Sequence, residues 1–460
     1  TAGCGSGKTV AACHWSAERY PDRQRWLCYP TTGTATQGYL DYLQDAKIPS
    51  RLDHSRAEVD VEIFDVAEDT DKQRGSDRLE ALRNWGADII ACTVDTVLGL
   101  TQNQRKGLYA WPGLCHSAIV FDEVHSYDEQ LFGCLLRFLE ALPGIPVLIM
   151  TASLPAHQLA ALEALSQRVH HRPLCKMDGP VGMERLPRYR RRITPHPMAE
   201  AEICLRENEK VLWVSNTVDR CMHTFAHAPA SAPSYIYHSR FKYIDRIQRH
   251  KEVVNAFAQP GPAFISATQV AQMSLGLASD LLVTDRAPVP DTIQRMGRLK
   301  RDSTPEAPGK VGHFIVLPFF GLPYDDDDLN ETDTWLRTLG DADLSQSDLL
   351  LAWQHLRSPQ VEPIFSAWLD GGFRTAIGIT RKASPGITVL MEEDMPELLR
   401  ATKINRREWI KVALPMNAPP AKFNTQQWKT HRESCLPIAP TGSISYNPET
   451  GATWNAKWTR

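Results

Sequence analysis

Short runs of apolar, β-branched and aromatic residues recur along most of the chain, separated by stretches whose apolar positions return every three or four residues. One series comprises Trp26 to Tyr29, Asp88 to Cys92, Ala118 to Phe121 and Val147 to Met150. A second comprises Val211 to Val214, Ala263 to Ser266, Leu281 to Thr284 and His313 to Leu317. Runs that are apolar throughout, rather than alternating, are those of strands covered on both faces. Their alternation with helical stretches predicts parallel strands joined by helical crossovers. The expected fold class is therefore α/β, with two tandem parallel-sheet lobes. Between the two series, Arg185-Leu-Pro-Arg-Tyr-Arg-Arg-Arg192, followed by Pro195 and Pro197, reads as a linker. After about residue 322 the pattern changes to an acidic run, Asp325 to Asp328, a stretch rich in Leu and Trp, and a tail rich in Pro, Gly and Asn. The expected domains are a first lobe over 1–175, a second over 185–322 and a smaller accessory domain over 323–460.

At 460 residues the chain has room for two or three such domains. A net charge of only −3 gives no global basic field, so contact with a polyanion has to be built locally. Ten cysteines are scattered without a Cys-x-x-Cys pair, which suits thiols in a reducing compartment rather than zinc ligands or a disulfide framework. No apolar run approaches the roughly 18 residues of a bilayer span, and no charged-then-apolar leader is evident. The expectation is a soluble cytoplasmic protein with no membrane partner.

Chemistry enters at the first residues. Ala2-Gly-Cys-Gly-Ser-Gly-Lys-Thr9 places Gly3, Gly5, Ser6 and Gly7 before Lys8 and Thr9, and a helix-compatible stretch follows. Glycines let successive backbone N–H groups turn toward a polyphosphate, Lys8 neutralises its β and γ oxygens, and Thr9 can ligate magnesium. A complete match opening a helix points to bound ATP and Mg2+ rather than to a Gly-rich turn with an incidental lysine. A strand normally precedes such a loop, so an N-terminal truncation is expected.

About 115 residues further on, Ser117-Ala-Ile-Val-Phe121 runs into Asp122-Glu-Val-His125. Carboxylates at the C-terminal end of a buried parallel strand lie where α/β sheets collect ligands. Asp122 suits a magnesium ligand and Glu123 a base that polarises the attacking water. On its own such an acidic pair is usually a solvated turn; its distance from the glycine loop and the following His125 favour the catalytic reading. His125 is either a coupling residue or a surface histidine at a helix start. Thr151-Ala-Ser-Leu-Pro155 ends the next strand, and Thr151 and Ser153 can bond to the carboxylate loop.

In the second lobe, Ala267-Thr-Gln-Val270 leads through Ser274-Leu275 to Gln294-Arg-Met-Gly-Arg-Leu-Lys-Arg301. On a helix Arg298 and Arg301 share one face, so they are candidate arginine fingers, with Gln294 a candidate γ-phosphate or water contact. Isolated, such a cluster would be a solvated basic helix. Loops after strands supply hydroxyls and amides for sequence-independent contact to a phosphodiester backbone: Thr32, Thr34 and Thr36; Thr93; Ser215 and Asn216; Ser239 and Arg240; and Thr268. Each is a plain loop residue more often than a contact.

The order of these motifs resembles superfamily 2 helicases, and more closely the helicase-nuclease family recruited by type I CRISPR interference complexes. The discriminating pieces are Thr32 to Thr36, His238-Ser-Arg-Phe241, Ala267 to Val270 with Ser274-Leu275, and Gln294 to Arg301. The resemblance covers roughly residues 1–318. It implies two RecA-like lobes, ATP- and Mg2+-dependent translocation on single-stranded DNA, unwinding of double-stranded target DNA, and delivery of a strand to a nuclease. Two features depart from the family pattern. Gln272, Gly276 and Ala278 stand where carboxylates are usual, with Asp280 retained, and the His-Asp dipeptide that signals the nuclease domain is absent. The nuclease is therefore expected in sequence outside this chain or on a separate subunit. A repair or RNA helicase sharing the motor, and an ATPase-defective DNA-binding scaffold, are the competing readings.

Overall fold

The structure is a computed structural model that describes residues 7–43, 48–53, 84–273, 277–354, 361–366, 369–370, 376–381, 386–401, 408–420, 423–432 and 434–455. The chain forms two compact units. One combines Thr1–Leu186 with Ser345–Lys382, and the other Pro187–Leu344 with Ala383–Arg460.

The first unit is built on the strands β1 (Gln24–Tyr29), β2 (Ser50–Asp53), β3 (Ile89–Thr93), β4 (Ser117–Phe121) and β5 (Val147–Ile149), ordered β2-β3-β1-β4-β5 and parallel throughout. Alternate residues of each strand face opposite sides of the sheet, and both sides are apolar here. Trp26 and Cys28, Ile90 and Cys92, and Ile119 and Phe121 join one core with the helix Glu129–Ala141, whereas Leu27 and Tyr29, Ile89 and Ala91, and Val120 join the other with Ala12 and Ala35. This double burial is why the strands read as continuous apolar runs.

The second unit repeats the plan with β6 (Tyr189–Arg191), β7 (Lys210–Val214), β8 (Ser234–Tyr237), β9 (Ala263–Ala267), β10 (Leu281–Asp285) and β11 (Gly312–Leu317), ordered β6-β11-β10-β7-β9-β8 and again all parallel. These are two RecA-like lobes. All the strands expected from the apolar runs form. β2, β6 and β8 are additions: all three are short edge strands, and such strands tolerate the charged residues of Ser-Arg-Leu-Asp in β2 and Tyr-Arg-Arg in β6 because only one side is paired. β6 thus occupies part of the stretch read as a linker.

The acidic run opens the helix Asp326–Thr338, where carboxylates offset the partial positive charge of the helix N-terminus. Beyond it, β12 (Ile387–Met391) pairs with β13 (Leu414–Met416) and β14 (Ile438–Ala439), and β15 (Ile444–Asn447) forms a hairpin with β16 (Gly451–Trp454). A small core of Val389, Leu414, Phe423, Trp428 and Ala452 holds these strands together. Among the described residues no helix is long and apolar enough to cross a membrane.

Because each sheet is parallel, the C-terminal ends of its strands share one edge, where ligands of α/β folds collect. The motif residues after β1, β3, β4 and β5 lie on that edge of the first sheet, and those after β7, β8, β9 and β10 on that of the second.

Candidate active site

The helix α1 (Lys8–Arg19) starts directly at the motif lysine, with Gly7 before it at φ 79°. That left-handed conformation is where glycine is needed. Lys8 and Thr9 are half-buried on the first turn of α1, while Gly3, Gly5 and Ser6 lie outside the described residues.

β4 delivers the carboxylates. Asp122 is 9% exposed and its backbone N–H still bonds to the Cys28 carbonyl at 2.9 Å, continuing the sheet. Glu123 then breaks from the strand at φ 51° and ψ 44°, a left-handed conformation that costs a non-glycine residue about 1–3 kcal/mol. The Glu123 N–H donates to Asp122 Oδ1 at 2.8 Å, and the Glu123 carbonyl accepts from Ser126 N–H at 2.9 Å and Ser126 Oγ at 2.7 Å. These bonds hold the strained turn and turn the two carboxyl groups out of the strand.

Burial, followed by the neighbouring Glu123 charge, raises the Asp122 carboxyl to about 7, and Lys8 opposes the shift. Burial lowers His125 to about 4 despite the opposing Glu123 charge, so it is neutral at pH 7. Its Nδ1 lies 2.9 Å from Thr151 Oγ1 and 3.4 Å from Glu123 Oε2. Thr151 gives its own hydroxyl proton to the Ser153 carbonyl. Thr151 Oγ1 is then an acceptor, which assigns the imidazole proton to Nδ1. A chain of donors therefore runs from His125 through Thr151 to Ser153, joining the carboxylate loop to the loop after β5. Ser153 takes part through its carbonyl rather than its hydroxyl.

In the second unit the octet does not stay helical. The helix Val289–Met296 ends before Gly297, and Arg298 and Arg301 lie in the following turn, where Lys300 adopts φ 46°. Arg298 and Arg301 therefore do not share a helix face; they follow the turn at Gly297. Arg298 is 8% exposed and donates to the Gln272 carbonyl, and Gln294 is buried. Arg295 is fully buried and bonds Thr284 Oγ1 at 2.8 Å, the Asp285 carbonyl at 3.0 Å, Asn216 Oδ1 at 3.0 Å and the Tyr324 hydroxyl at 3.2 Å. It is the hub that sequence reading missed. With its amide oxygen turned to Arg295, Gln272 accepts from Arg295 Nε at 2.5 Å and donates to Asp291 Oδ1 at 3.1 Å. A carboxylate at position 272 would face half-buried Asp291, and the amide removes that repulsion. Asp280 accepts the Lys210 N–H at 2.7 Å and pairs with Lys300.

Residues 1–162 match the DEAD/DEAH box helicase family model, and residues 207–304 match the model for the C-terminal part of the CRISPR-associated nuclease/helicase Cas3. A putative CRISPR-associated nuclease/helicase Cas3 of Myxococcus xanthus is 53% identical over 98% of this chain. The chain belongs to the Cas3-like helicase family. It spans 61% of the Myxococcus protein's length and 48% of a Methanocaldococcus jannaschii relative's, which is 26% identical over 72% of this chain. The crystal structure of T. fusca Cas3-AMPPNP shares the fold, with a TM-score of 0.74 at 18% identity, covering 99% of this chain and 68% of that one.

In this Cas3-like chain the candidate nucleic-acid residues have varied surroundings. Thr32 is half-buried at the start of the helix α2 (Thr32–Tyr42), which begins where a loop was expected. Thr31 caps it: Thr31 Oγ1 accepts the Thr34 N–H at 3.2 Å, and Thr34 Oγ1 accepts the Thr31 N–H at 3.1 Å. The Thr36 hydroxyl donates to the Thr32 carbonyl at 3.0 Å. Thr93 precedes the helix Val94–Leu98. Ser215 and Thr268 are buried, and both ends of the Asn216 amide are engaged, with Arg295 and the Arg286 carbonyl. Ser239 is half-buried, while Arg240, 5% exposed, pairs with Asp219 at 2.6 Å.

Proposed function

We propose that this chain is the ATP-driven motor of a type I CRISPR antiviral nuclease-helicase, converting ATP hydrolysis into movement along target DNA and unwinding it for a nuclease. The observation that carries this reading is the strained Asp122-Glu123 turn and its His125–Thr151 relay on a Cas3-like chain that also holds Lys8 at a helix start. In this reading Gly3, Gly5, Ser6 and Gly7 cradle the phosphates through backbone N–H groups, Lys8 neutralises them, and Glu123 takes the proton of the attacking water. The donor set suits Mg2+, a hard cation that needs one or two carboxylate or hydroxyl oxygens besides phosphates and water. Thr9 and Asp122 would hold it, and its charge would reverse the effect that burial has on Asp122. When bound, the ion offsets charge developing on the phosphates.

Gln294, Arg298 and Arg301 are assigned to sensing the γ-phosphate. Thr32, Thr34, Thr36, Thr93, Ser215, Asn216, Ser239, Arg240 and Thr268 are assigned to the nucleic-acid track. Since the Thr34, Thr36, Asn216 and Arg240 side chains are occupied, these positions act by shaping the track, and contact to phosphates falls to backbone N–H groups. Residues 1–175 and 185–322 are the motor lobes, and 323–460 is an accessory region of which 345–382 joins the first unit and the rest the second. Its partners are single- and double-stranded DNA, the type I surveillance complex, and a nuclease on a separate subunit or in sequence outside this chain, all in the prokaryotic cytoplasm.

Strand displacement by the full-length protein tests the reading. ATP and Mg2+ should support displacement from a DNA duplex with a single-stranded tail, and Glu123→Gln should abolish it. Equal or greater stimulation by RNA would replace this reading with the RNA-helicase one, and absence of saturable ATP binding with the scaffold one.

A further inference from the structure

Residues 345–382 follow the second lobe in sequence yet belong to the first unit. The described part of this segment lies along the first lobe through a series of backbone-directed bonds. Ile364 N–H donates to the Gly133 carbonyl at 3.1 Å, Gly378 N–H to the Gln102 carbonyl at 2.9 Å, and Gln130 Nε2 to the Ile379 carbonyl at 2.9 Å. The segment ends on the strand-end loops. Thr380 Oγ1 donates to Asp95 Oδ1 at 2.7 Å; Arg381 Nε lies 2.9 Å from Asp95 Oδ1, and Arg381 Nη2 2.8 Å from Asp95 Oδ2. The same Nη2 donates to the Pro30 carbonyl at 2.6 Å.

Those two anchors are informative. Pro30 directly follows β1 and precedes the Thr31 cap of α2, and Asp95 stands two residues after Thr93 in the first turn of Val94–Leu98. One planar guanidinium therefore ties together the loops after β1 and β3, and its fork matches a carboxylate in a way that a lysine cannot. It also neutralises an acid that would otherwise face the edge assigned to a polyanion.

We propose that Arg381 is a positioning residue of the nucleic-acid track: by clamping Asp95 and the Pro30 carbonyl it sets the spacing between Thr32 and Thr93. This rests on the nucleic-acid reading given above. Asp95 is thereby an acid whose presence favours binding of a polyanion.

The test is DNA-stimulated ATP hydrolysis by the full-length protein, titrated with single-stranded DNA at several salt concentrations. Arg381→Ala should raise the half-saturating DNA concentration by about three- to tenfold, the scale of a bidentate ion pair at partial exposure, with turnover at saturating DNA little changed. Arg381→Lys should fall between, and serves should the alanine variant fail to fold. Asp95→Ala should also weaken DNA binding, although it removes a negative charge. Tighter binding by Asp95→Ala, with a salt slope about one unit shallower in Arg381→Ala, would show a direct phosphate contact and overturn the positioning role. Unchanged half-saturation in Arg381→Ala would overturn it too. A wild-type protein that hydrolyses ATP without any response to DNA would instead remove the nucleic-acid reading itself.

Discussion

Replacing Arg295 by Met isolates the contribution of the buried hub in the second unit. Methionine approximates the volume of the arginine stem but offers no donors, so Thr284 Oγ1, the Asp285 carbonyl, Asn216 Oδ1 and the Tyr324 hydroxyl each lose a partner. Half-buried Asp291 loses the cation that lowers its carboxyl pKa against the upward push of desolvation. A buried polar atom left unpaired costs about 1–3 kcal/mol, and removing one member of a buried charged network about 3–5 kcal/mol. The four acceptors are not independent, because Thr284 has another bond, to the Asp285 carbonyl at 2.9 Å, and Tyr324 can reorient its hydroxyl. The expected loss is about 3–5 kcal/mol. For a unit of this size each kcal/mol lowers Tm by about 2–4 °C, so the transition of the second unit should fall by roughly 6–20 °C. Urea unfolding followed by tryptophan fluorescence, with half-buried Arg301→Ala from the following turn for comparison, measures it. A loss below about 1 kcal/mol would refute the claim that this arginine holds the ends of β7 and β10 together.

Other outcomes follow from single features. Glu123→Gln should slow ATP hydrolysis by about 10²–10⁴-fold while ATP binding persists; an unaltered rate in single-turnover assays would remove its role as base. Burial depresses His125 to about 4, His238 to about 3 and His250 to about 4. Unfolded histidines near 6.5 take up protons that the folded ones refuse. Stability should therefore fall as pH drops from about 6.5 toward 4. Asp122, raised to about 7, opposes this with a contribution lost as pH rises through 7; in the acidic window the three histidines outweigh it. Urea midpoints across that range should show the fall, and His238→Gln should flatten it. Gly451 sits at φ 90°, and a Cβ there would lie 2.3 Å from His238 Cε1 and 2.8 Å from the Arg240 carbonyl. Gly451→Ala should thus cost about 2 kcal/mol or more and speed hydrogen exchange in the hairpin Ile444–Trp454; a neutral effect would contradict the close approach.

The lobes were legible because parallel strands buried on both faces leave an unmistakable apolar run, as in Ala118 to Phe121. β2, β6 and β8 were not, since an edge strand needs only one partner and little apolar surface. In the candidate site, residue types marked the chemistry while geometry rearranged the surroundings. The Thr31-x-x-Thr34 spacing is a capping signature, and reading it would have placed Thr32 to Thr36 on a helix rather than in a loop. Gly297 likewise signalled the end of the helix before Arg298. Arg295 looked like one more basic residue of the octet because nothing local distinguishes a buried arginine from its neighbours. The Arg381 bond to Pro30 spans 351 positions and starts from residues in neither helix nor strand, so no local pattern announces it.

The central claim is that Lys8 and Glu123 belong to an ATPase driven by nucleic acid. The most direct measurement is steady-state ATP hydrolysis by the full-length protein with Mg2+, with and without single-stranded DNA, compared with Lys8→Ala. DNA should stimulate hydrolysis strongly, and Lys8→Ala should lose that activity. Equal hydrolysis by wild type and Lys8→Ala in the presence of DNA would contradict the claim.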